Sequence, residues 1–338
     1  MRFPFSLSRA MSSYMVRCRL RGVRRFPLVL MLEPLHACNL HCAGCGRIRE
    51  YKDSLKQRLS VGECVAAAEE CGAPVVSICG GEPLIYPEIE RLVETLIDRG
   101  KHIYLCTNGV FMPKFVERFP KSGRFLWNVH LDGMEATHDA ITCKPGTFQK
   151  AVEGIRAAKE AGMWVTTNTT VYAETDMHEI LVLLEYLTEL GVDGFLVSPG
   201  YAYQAVFEKD ADAENLFLSR REIQRKFAMV RKDLERFRLM TSPIYLDFLC
   251  GKRELKCAAW ANPTRNVRGW KGPCYLITDR HYATFQELMD ETDWDALGPE
   301  HDARCRDCMV HSGYEPAAVM AAQRSLRDAL TMALWQFV

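Results

Sequence analysis

From residue 28 to residue 198, short apolar runs alternate with amphipathic ones, and few folds accommodate that rhythm. The apolar runs cover residues 28–33, 75–78, 103–106, 125–131, 164–171 and 194–198, lengths that suit buried strands. Helical patterns lie between them at residues 60–71, 88–98, 114–119, 147–161 and 177–190. Gly72, Gly100, Gly162 and Gly191 stand where four of these helices must stop, as left-handed closing residues do. Strands separated by crossover helices make a parallel sheet. Six units fall short of a closed eight-stranded barrel, so the predicted class is α/β: a partial (β/α)6 barrel with its chemistry at the carboxyl ends of the strands.

Three parts follow from this rhythm. Residues 28–200 form the barrel, and residues 1–27 precede it as a basic amphipathic segment. That segment carries Arg2, Arg9, Arg17, Arg19, Arg21, Arg24 and Arg25, and the first acidic residue is Glu33. It reads either as a peripheral contact with an anionic membrane surface or as a helix capping the domain with its arginines solvated. Residues 201–338 form a C-terminal extension. It opens on a polar, acidic stretch at 201–215. A charged helix follows at 219–236, with Ser219 and Glu222 set for a capping box. Residues 240–315 are loop-rich and Cys-rich, and 315–338 are helical again. The last helix places Val319, Met320, Leu326, Leu330, Leu334 and Phe337 at apolar positions, for core packing or for a second membrane contact.

Directly after the first strand stand Cys38, Cys42 and Cys45, with gaps of three and two residues. Three thiolates at this spacing can hold one face of a [4Fe–4S] cube and leave the fourth iron open to a ligand. A zinc half-site is the alternative, completed by His36 or His41. The other strand ends are also polar or small. Strand two runs into Gly80-Gly81-Glu82-Pro83, where two glycines permit close backbone approach and Glu82 can accept from an amine. Strand three ends in Cys106-Thr107-Asn108-Gly109 and strand four in His130-Leu131-Asp132-Gly133, while Asn168 and Ser198 lie on strands five and six. Period-two alternation sets Tyr104, Cys106 and Asn108 on one side of strand three.

Taken in order, these motifs resemble the radical S-adenosylmethionine (radical SAM) superfamily. The resemblance implies that Cys38, Cys42 and Cys45 bind the main cluster, with its open iron chelated by the amino and carboxylate groups of S-adenosylmethionine. It implies that Gly80, Gly81 and Glu82 meet the methionyl amine. Asn108, His130, Asn168 and Ser198 would line the ribose and carboxylate. The chain departs from the pattern at Gly44, where the superfamily often has an aromatic residue, and at His130, where serine is frequent.

A narrower resemblance is to the adenosyl-hopene transferase family of hopanoid biosynthesis. It rests on stretches such as Val197-Ser198-Pro199-Gly200-Tyr201-Ala202-Tyr203, Asn262-Pro263-Thr264-Arg265-Asn266-Val267 and Cys308-Met309-Val310-His311. It implies addition of a 5′-deoxyadenosyl radical to the alkene of diploptene, a hydrophobic triterpene. A one-electron donor such as flavodoxin or ferredoxin would supply the reductant. The other reading is a radical SAM enzyme acting on a peptide or another lipid, with an auxiliary metal site. Addition to an alkene leaves a carbon radical that one hydrogen atom must quench. Cys106 is placed to supply it, with Cys79 the runner-up; otherwise Cys106 is a small buried thiol.

A second constellation, Cys257, Cys274, Cys305 and Cys308, contains a Cys-x2-Cys pair and could hold a second iron–sulfur cluster or zinc, or consist of free thiols. Cys250 lies near in sequence, and His311 could replace one thiolate. Fourteen cysteines without a signal-peptide pattern predict reduced thiols and metal ligands in a cytoplasmic protein. Lys and Arg together number 43 and so do Asp and Glu, so nothing global points to nucleic acid.

Overall fold

A computed structural model describes residues 2–207 and 215–337. Six strands stand where the alternation places them: β1 (Val29–Leu32), β2 (Val75–Ile78), β3 (His102–Thr107), β4 (Phe125–His130), β5 (Trp164–Val171) and β6 (Gly194–Pro199). They lie side by side in chain order and every neighbouring pair is parallel. The glycine stops are left-handed, with φ of 70° at Gly72, 78° at Gly100, 74° at Gly162 and 80° at Gly191.

The two faces of this sheet differ in kind. Leu30, Leu32, Val76, Ile78, Ile103, Leu105, Trp127, Val129 and Val165 pack into one buried core with Leu92, Leu96, Ile155, Leu183 and Leu187 of the crossover helices. The opposite face holds Ser77 beside Tyr104, Cys106 beside Asn128, Asn128 beside Thr166, and His130 beside Asn168. Parallel strands are normally apolar on both faces. A polar inner wall in such a sheet is therefore lined for a ligand rather than for packing.

The sheet is larger than six strands. β7 (Thr264–Asn266) pairs in parallel with β1, matching Met31 to Thr264 and Leu32 to Arg265, and β8 (Gly269–Pro273) and β9 (Thr278–Tyr282) extend it antiparallel. The sequence predicts a loop-rich region here. A three-residue Thr-Arg-Asn strand has no periodicity to detect; it forms because the free edge of β1 offers unpaired backbone groups.

Three helical regions also differ from expectation. A helix at Glu135–Thr142 precedes Thr147–Glu160, separated by Cys143 at φ 55°. The pattern at 114–119 is a short turn, Met112–Phe115, continued as 3-10 helix. The C-terminal pattern is two helices, His311–Ala322 and Leu326–Phe337. The charged helix is Arg220–Leu234, opened by the Ser219–Glu222 capping box. Residues 208–214 of the polar, acidic stretch, and Val338, lie outside the described residues.

The N-terminal segment is a helix, Phe5–Leu20. Its Met11, Tyr14, Met15 and Cys18 pack on Phe26, Leu28, Ala258, Ala261 and Ala317. Arg2 is buried, and its guanidinium donates to the carbonyls of Trp335 (2.8 Å), Phe237 (3.1 Å) and Leu239 (3.3 Å). Among the described residues no helix is long and apolar enough to cross a membrane.

Candidate active site

The cysteine loop leaves the carboxyl end of β1 and is fixed by the turn that leaves β2. Beyond the strands the ladder continues: the Cys79 N–H donates to Leu32 O (2.8 Å), the Gly81 N–H to Leu35 O (3.2 Å) and the Glu82 N–H to Ala37 O (2.9 Å). A Cβ at Gly80, whose φ is 109°, would stand 2.4 Å from Leu35 O. At Gly81 it would stand 1.8 Å from Ala37 O. The two glycines thus allow the close approach of the cysteine loop itself, one strand crossing from Cys38. Glu82 is 1% exposed, and its carboxylate accepts from Thr107 Oγ1 (2.7 Å), the Asn108 N–H (2.9 Å) and the Leu84 N–H (3.0 Å). Its side chain therefore ties the end of β3 to this turn. Burial pushes its pKa up to about 7, against those three donors.

The three thiols are half-buried. The Leu40 N–H (3.5 Å) and Asn108 Nδ2 (3.9 Å) point at Cys38 Sγ, and Asn108 also donates to Asn39 Oδ1 (2.8 Å). Arg49 Nη1 clamps the carbonyls of Cys42 (3.0 Å) and Cys45 (2.5 Å). Burial pushes the Cys38 thiol up to about 12, against the Leu40 N–H and with help from Glu82 and Cys45; Cys42 is raised by burial and by Cys45, Asp132 and Cys38. Cysteine side chains grouped in a half-buried loop are a donor set suited to a cationic metal group, which deprotonates its thiol ligands on binding.

Among the described residues, no three Cys, His, Asp or Glu side chains converge tightly enough to hold one ion. A four-iron cube presents separate irons to separate thiolates, so its ligands stand wider apart. His36 is not available to complete a zinc site. It is fully buried, stacked on Tyr51 at 4.0 Å, with Nδ1 3.0 Å from Ser54 Oγ and Nε2 3.5 Å from Glu33.

Gly44 and Gly46 have a tertiary reason that the sequence alone did not show. A Cβ at Gly44 would meet Tyr172 Oη at 2.5 Å, and one at Gly46 would meet Tyr203 Cγ at 2.3 Å. Tyr172, just past β5, fills the space beside the loop that an aromatic residue at position 44 would take.

Asn108 and His130 lie at the carboxyl ends of β3 and β4, and register pairs His130 with Asn168, within β5, on the inner wall. His130 Nε2 is 2.7 Å from the buried Asp132. Burial alone would lower the His130 pKa; the Asp132 carboxylate overcomes this and raises it. Asn168 Oδ1 is buried without a hydrogen-bond partner, an acceptor aimed at the wall's interior and left for a ligand. Ser198 differs from expectation. Only 3% exposed, its hydroxyl lies 3.3 Å from Tyr245 Oη and 3.3 Å from the His311 nitrogen, so it secures the C-terminal region on β6.

One step deeper on the same wall sits Cys106. Its sulfur is 3.2 Å from Ser77 Oγ and accepts from Asn128 Nδ2 at 3.3 Å. Burial raises its pKa, so it carries its proton. Cys79 is buried on the neighbouring strand end. Ser77 and Asn128 were not singled out from the sequence, although their period-two positions could have found them.

The four C-terminal cysteines, spread over more than fifty residues, converge. Cys257, Cys274, Cys305 and Cys308 line one small cavity of about 30 Å³ with Tyr201, Tyr275 and Gly313. The Leu276 and Ile277 N–H groups both point at Cys274 Sγ, at 3.4 and 3.3 Å. A Cβ at Gly313 would lie 2.5 Å from Cys257 Sγ. Burial pushes Cys305 up to about 11 and Cys308 up to about 12, each raised further by the other thiols. Neither Cys250 nor His311 lines this cavity. The donor set is all thiol, with backbone donors to stabilise a thiolate, but here too no three of these side chains converge tightly enough to hold a single ion such as zinc. Arg47 bridges the two cysteine regions: it pairs with buried Glu33 (2.9 Å), lies 4.1 Å over the Tyr275 ring and donates to Tyr275 O (2.6 Å).

Residues 32–187 match the family model described as the radical SAM superfamily, and residues 195–332 match one described as a domain of unknown function (DUF3463). The AdoMet-dependent heme synthase of Methanosarcina barkeri is 30% identical over 199 residues, 56% of this chain and 56% of that protein. The GTP 3',8-cyclase of Petrotoga mobilis is 30% identical over 195 residues, 55% of this chain and 59% of that protein. The chain thus spans little more than half the length of these relatives. Among solved structures, Streptococcus suis SuiB bound to precursor peptide SuiA superposes with a TM-score of 0.64 at 14% identity, covering 88% of this chain and 74% of that one. Native anSMEcpe with bound AdoMet gives 0.56 at 15% identity, covering 92% and 97%. At these identities the likeness is one of fold.

Proposed function

We propose that this chain, which belongs to the radical SAM superfamily through residues 32–187, is an enzyme that couples a main site at Cys38, Cys42 and Cys45 to a second metal site at Cys257, Cys274, Cys305 and Cys308. The observation that carries the reading is the meeting of the half-buried thiol triplet with a polar inner wall at the carboxyl ends of parallel strands. Cys38, Cys42 and Cys45 would hold a [4Fe–4S] cluster, which would supply the one-electron reduction of S-adenosylmethionine to methionine and a 5′-deoxyadenosyl radical. The chain's own part is to hold and orient. The Gly80–Glu82 turn offers backbone atoms to the methionyl amine, while Asn108, His130 and Asn168 face the ribose and carboxylate.

The second site has its own test. Replacing Cys274 and Cys308 together by Ser should remove one metal complement per chain while deoxyadenosine formation stays within about threefold, since second-site damage acts only through packing and Arg47. Metal analysis of wild type and variant checks it. Equal metal content in both would mean that these are structural thiols.

The resemblance to the adenosyl-hopene transferase family favours a finer reading of the substrate. The stretches that carry it fall within residues 195–332, and they include Ser198 and the β7 strand that covers the β1 edge. In this reading the deoxyadenosyl carbon adds to the alkene of a polycyclic triterpene, forming one C–C bond and leaving a carbon radical. Cys106 then gives up its S–H hydrogen atom to that carbon. The resulting thiyl regains one electron from a reductant of the flavodoxin or ferredoxin class and one proton from solvent. The competing substrate is a peptide, the ligand of SuiB in its complex with SuiA.

Incubating reduced, reconstituted enzyme with S-adenosylmethionine and diploptene tests the finer reading: an adenosyl adduct supports it. Deoxyadenosine without any adduct removes the triterpene and leaves the radical SAM assignment standing. Cys106→Ala should keep deoxyadenosine formation within about twofold but lower the reduced adduct at least about tenfold. The reduced adduct at the wild-type rate without added thiol would make Cys106 a packing residue.

A further inference from the structure

We propose that the helix Phe5–Leu20 and the helix Leu326–Phe337 together form one face that docks on an anionic lipid bilayer. Among the described residues, ten large apolar side chains are exposed, and eight of them lie on these two helices or the turn after the first. On the terminal helix they are Leu326 (92%), Leu330 (61%), Leu334 (59%) and Phe337 (69%). At 100° per residue these four fall within an arc of about 80°, a continuous stripe. Met332 and Trp335 lie on the opposite side; Met332 packs toward the core and Trp335 meets Phe3 ring to ring at 5.6 Å. The core-packing expectation for this helix is thus corrected. The chain buries the face bearing Met332 and leaves the leucine stripe outside.

The N-terminal helix repeats the arrangement. Met11, Tyr14, Met15 and Cys18 face the protein, and Phe5, Val16 and Leu20 face outward, with Val23 beyond. The two readings of this segment therefore coexist: one side caps the domain and the other is free. The helices are joined to one another. The Arg2 N–H donates to Gln336 O at 3.1 Å, and Gln336 Nε2 donates to Ser8 Oγ at 2.7 Å.

Charge chooses the occupant. Arg9, Arg17, Arg19, Arg21 and Arg24 are exposed around the apolar side chains, and no acidic residue precedes Glu33. On the terminal helix Arg327 is exposed beside the stripe, whereas Asp328 is held by Arg253 at 3.0 Å. A second copy would bring like-charged arginines face to face. An anionic bilayer accepts both the protruding apolar side chains and the guanidinium groups that flank them. The inference stands apart from the substrate reading, since it uses only surface residues.

Co-sedimentation of the full-length protein with vesicles decides it. The protein should pellet with phosphatidylcholine vesicles containing phosphatidylglycerol, pellet poorly with phosphatidylcholine alone, and be partly released by salt, which screens the arginines. The double variant Leu330→Asp/Leu334→Asp and the triple variant Arg17→Glu/Arg19→Glu/Arg21→Glu should each lower the bound fraction at least about tenfold. Both should melt at the wild-type temperature, because the altered side chains are exposed. Leu330→Trp keeps the stripe apolar and adds an indole whose emission should shift to the blue on anionic vesicles. Equal binding to neutral and anionic vesicles, wild-type binding by either charge-bearing variant, or an unshifted indole would overturn the proposal. So would a vesicle-free, concentration-dependent dimer that Leu330→Asp/Leu334→Asp abolishes, which would assign the face to a second copy.

Discussion

Replacing any one of Cys38, Cys42 or Cys45 by alanine should leave a folded protein that has lost its main cluster and no longer cleaves S-adenosylmethionine. The three side chains lie in a loop at the barrel mouth and are half-buried, outside the continuous core that holds the sheet to its helices. Truncating one therefore removes little packing. It removes a ligand outright, and because losing even an outer-shell partner of a metal site typically lowers affinity or activity by about 10–100-fold, losing a ligand should lower deoxyadenosine formation by at least about 100-fold. Iron content and the visible absorption of the reconstituted protein should fall relative to wild type by one cluster. Cys18→Ala is the matched control, since that thiol is equally half-buried but sits on the helix Phe5–Leu20 in the cluster with Phe26 and Leu28. Normal deoxyadenosine formation by any one of the three variants would sink the assignment.

Gly81→Ala should be nearly as damaging, through geometry rather than chemistry. The added Cβ would sit 1.8 Å from Ala37 O and 2.6 Å from His36 O, and both contacts are backbone, so no side chain can rotate away. Either the cysteine loop moves or the turn moves, and the turn is tied to β3 through Glu82, Thr107 and Asn108. Overpacking of this kind costs roughly 2–4 kcal/mol. The expected result is a lower melting temperature together with loss of cluster and of S-adenosylmethionine cleavage. Gly62→Ala makes the contrast. Gly62 sits in the exposed first turn of Val61–Cys71, its Cβ would meet nothing closer than 3.9 Å, and the change should stabilise by about 0.5–1 kcal/mol. Wild-type melting and iron content in Gly81→Ala would show that the loop does not depend on this crossing.

Much of the barrel was legible in the sequence because its signals are local. Strand and helix periods of 2 and 3.6 residues are set by backbone geometry, so the six runs between residues 28 and 198 located β1 to β6, and glycine stops located the helix ends. The same period of two set Tyr104, Cys106 and Asn108 on one face, where register now places Ser77 and Asn128 around Cys106. The Cys38–Cys42–Cys45 spacing is likewise a local fact: seven residues of chain cannot separate the three thiols far.

What lay beyond the sequence depends on how distant segments cross. β7 has no pattern of its own and exists because β1 leaves an edge to pair with. Tyr172 reaches the space over Gly44 only because β5 ends beside the cysteine loop. Ser198 stood at a strand end like Asn168, yet Tyr245 and His311 close over it while Asn168 keeps an unpartnered acceptor. The terminal helix is the plainest case. Its periodicity predicted an apolar stripe, but a stripe says only that one face avoids water. The chain buried the opposite face, with Met332 and Trp335, and left Leu326, Leu330, Leu334 and Phe337 exposed; which face a helix turns inward is decided by the partners that reach it, and those partners come from the other end of the chain.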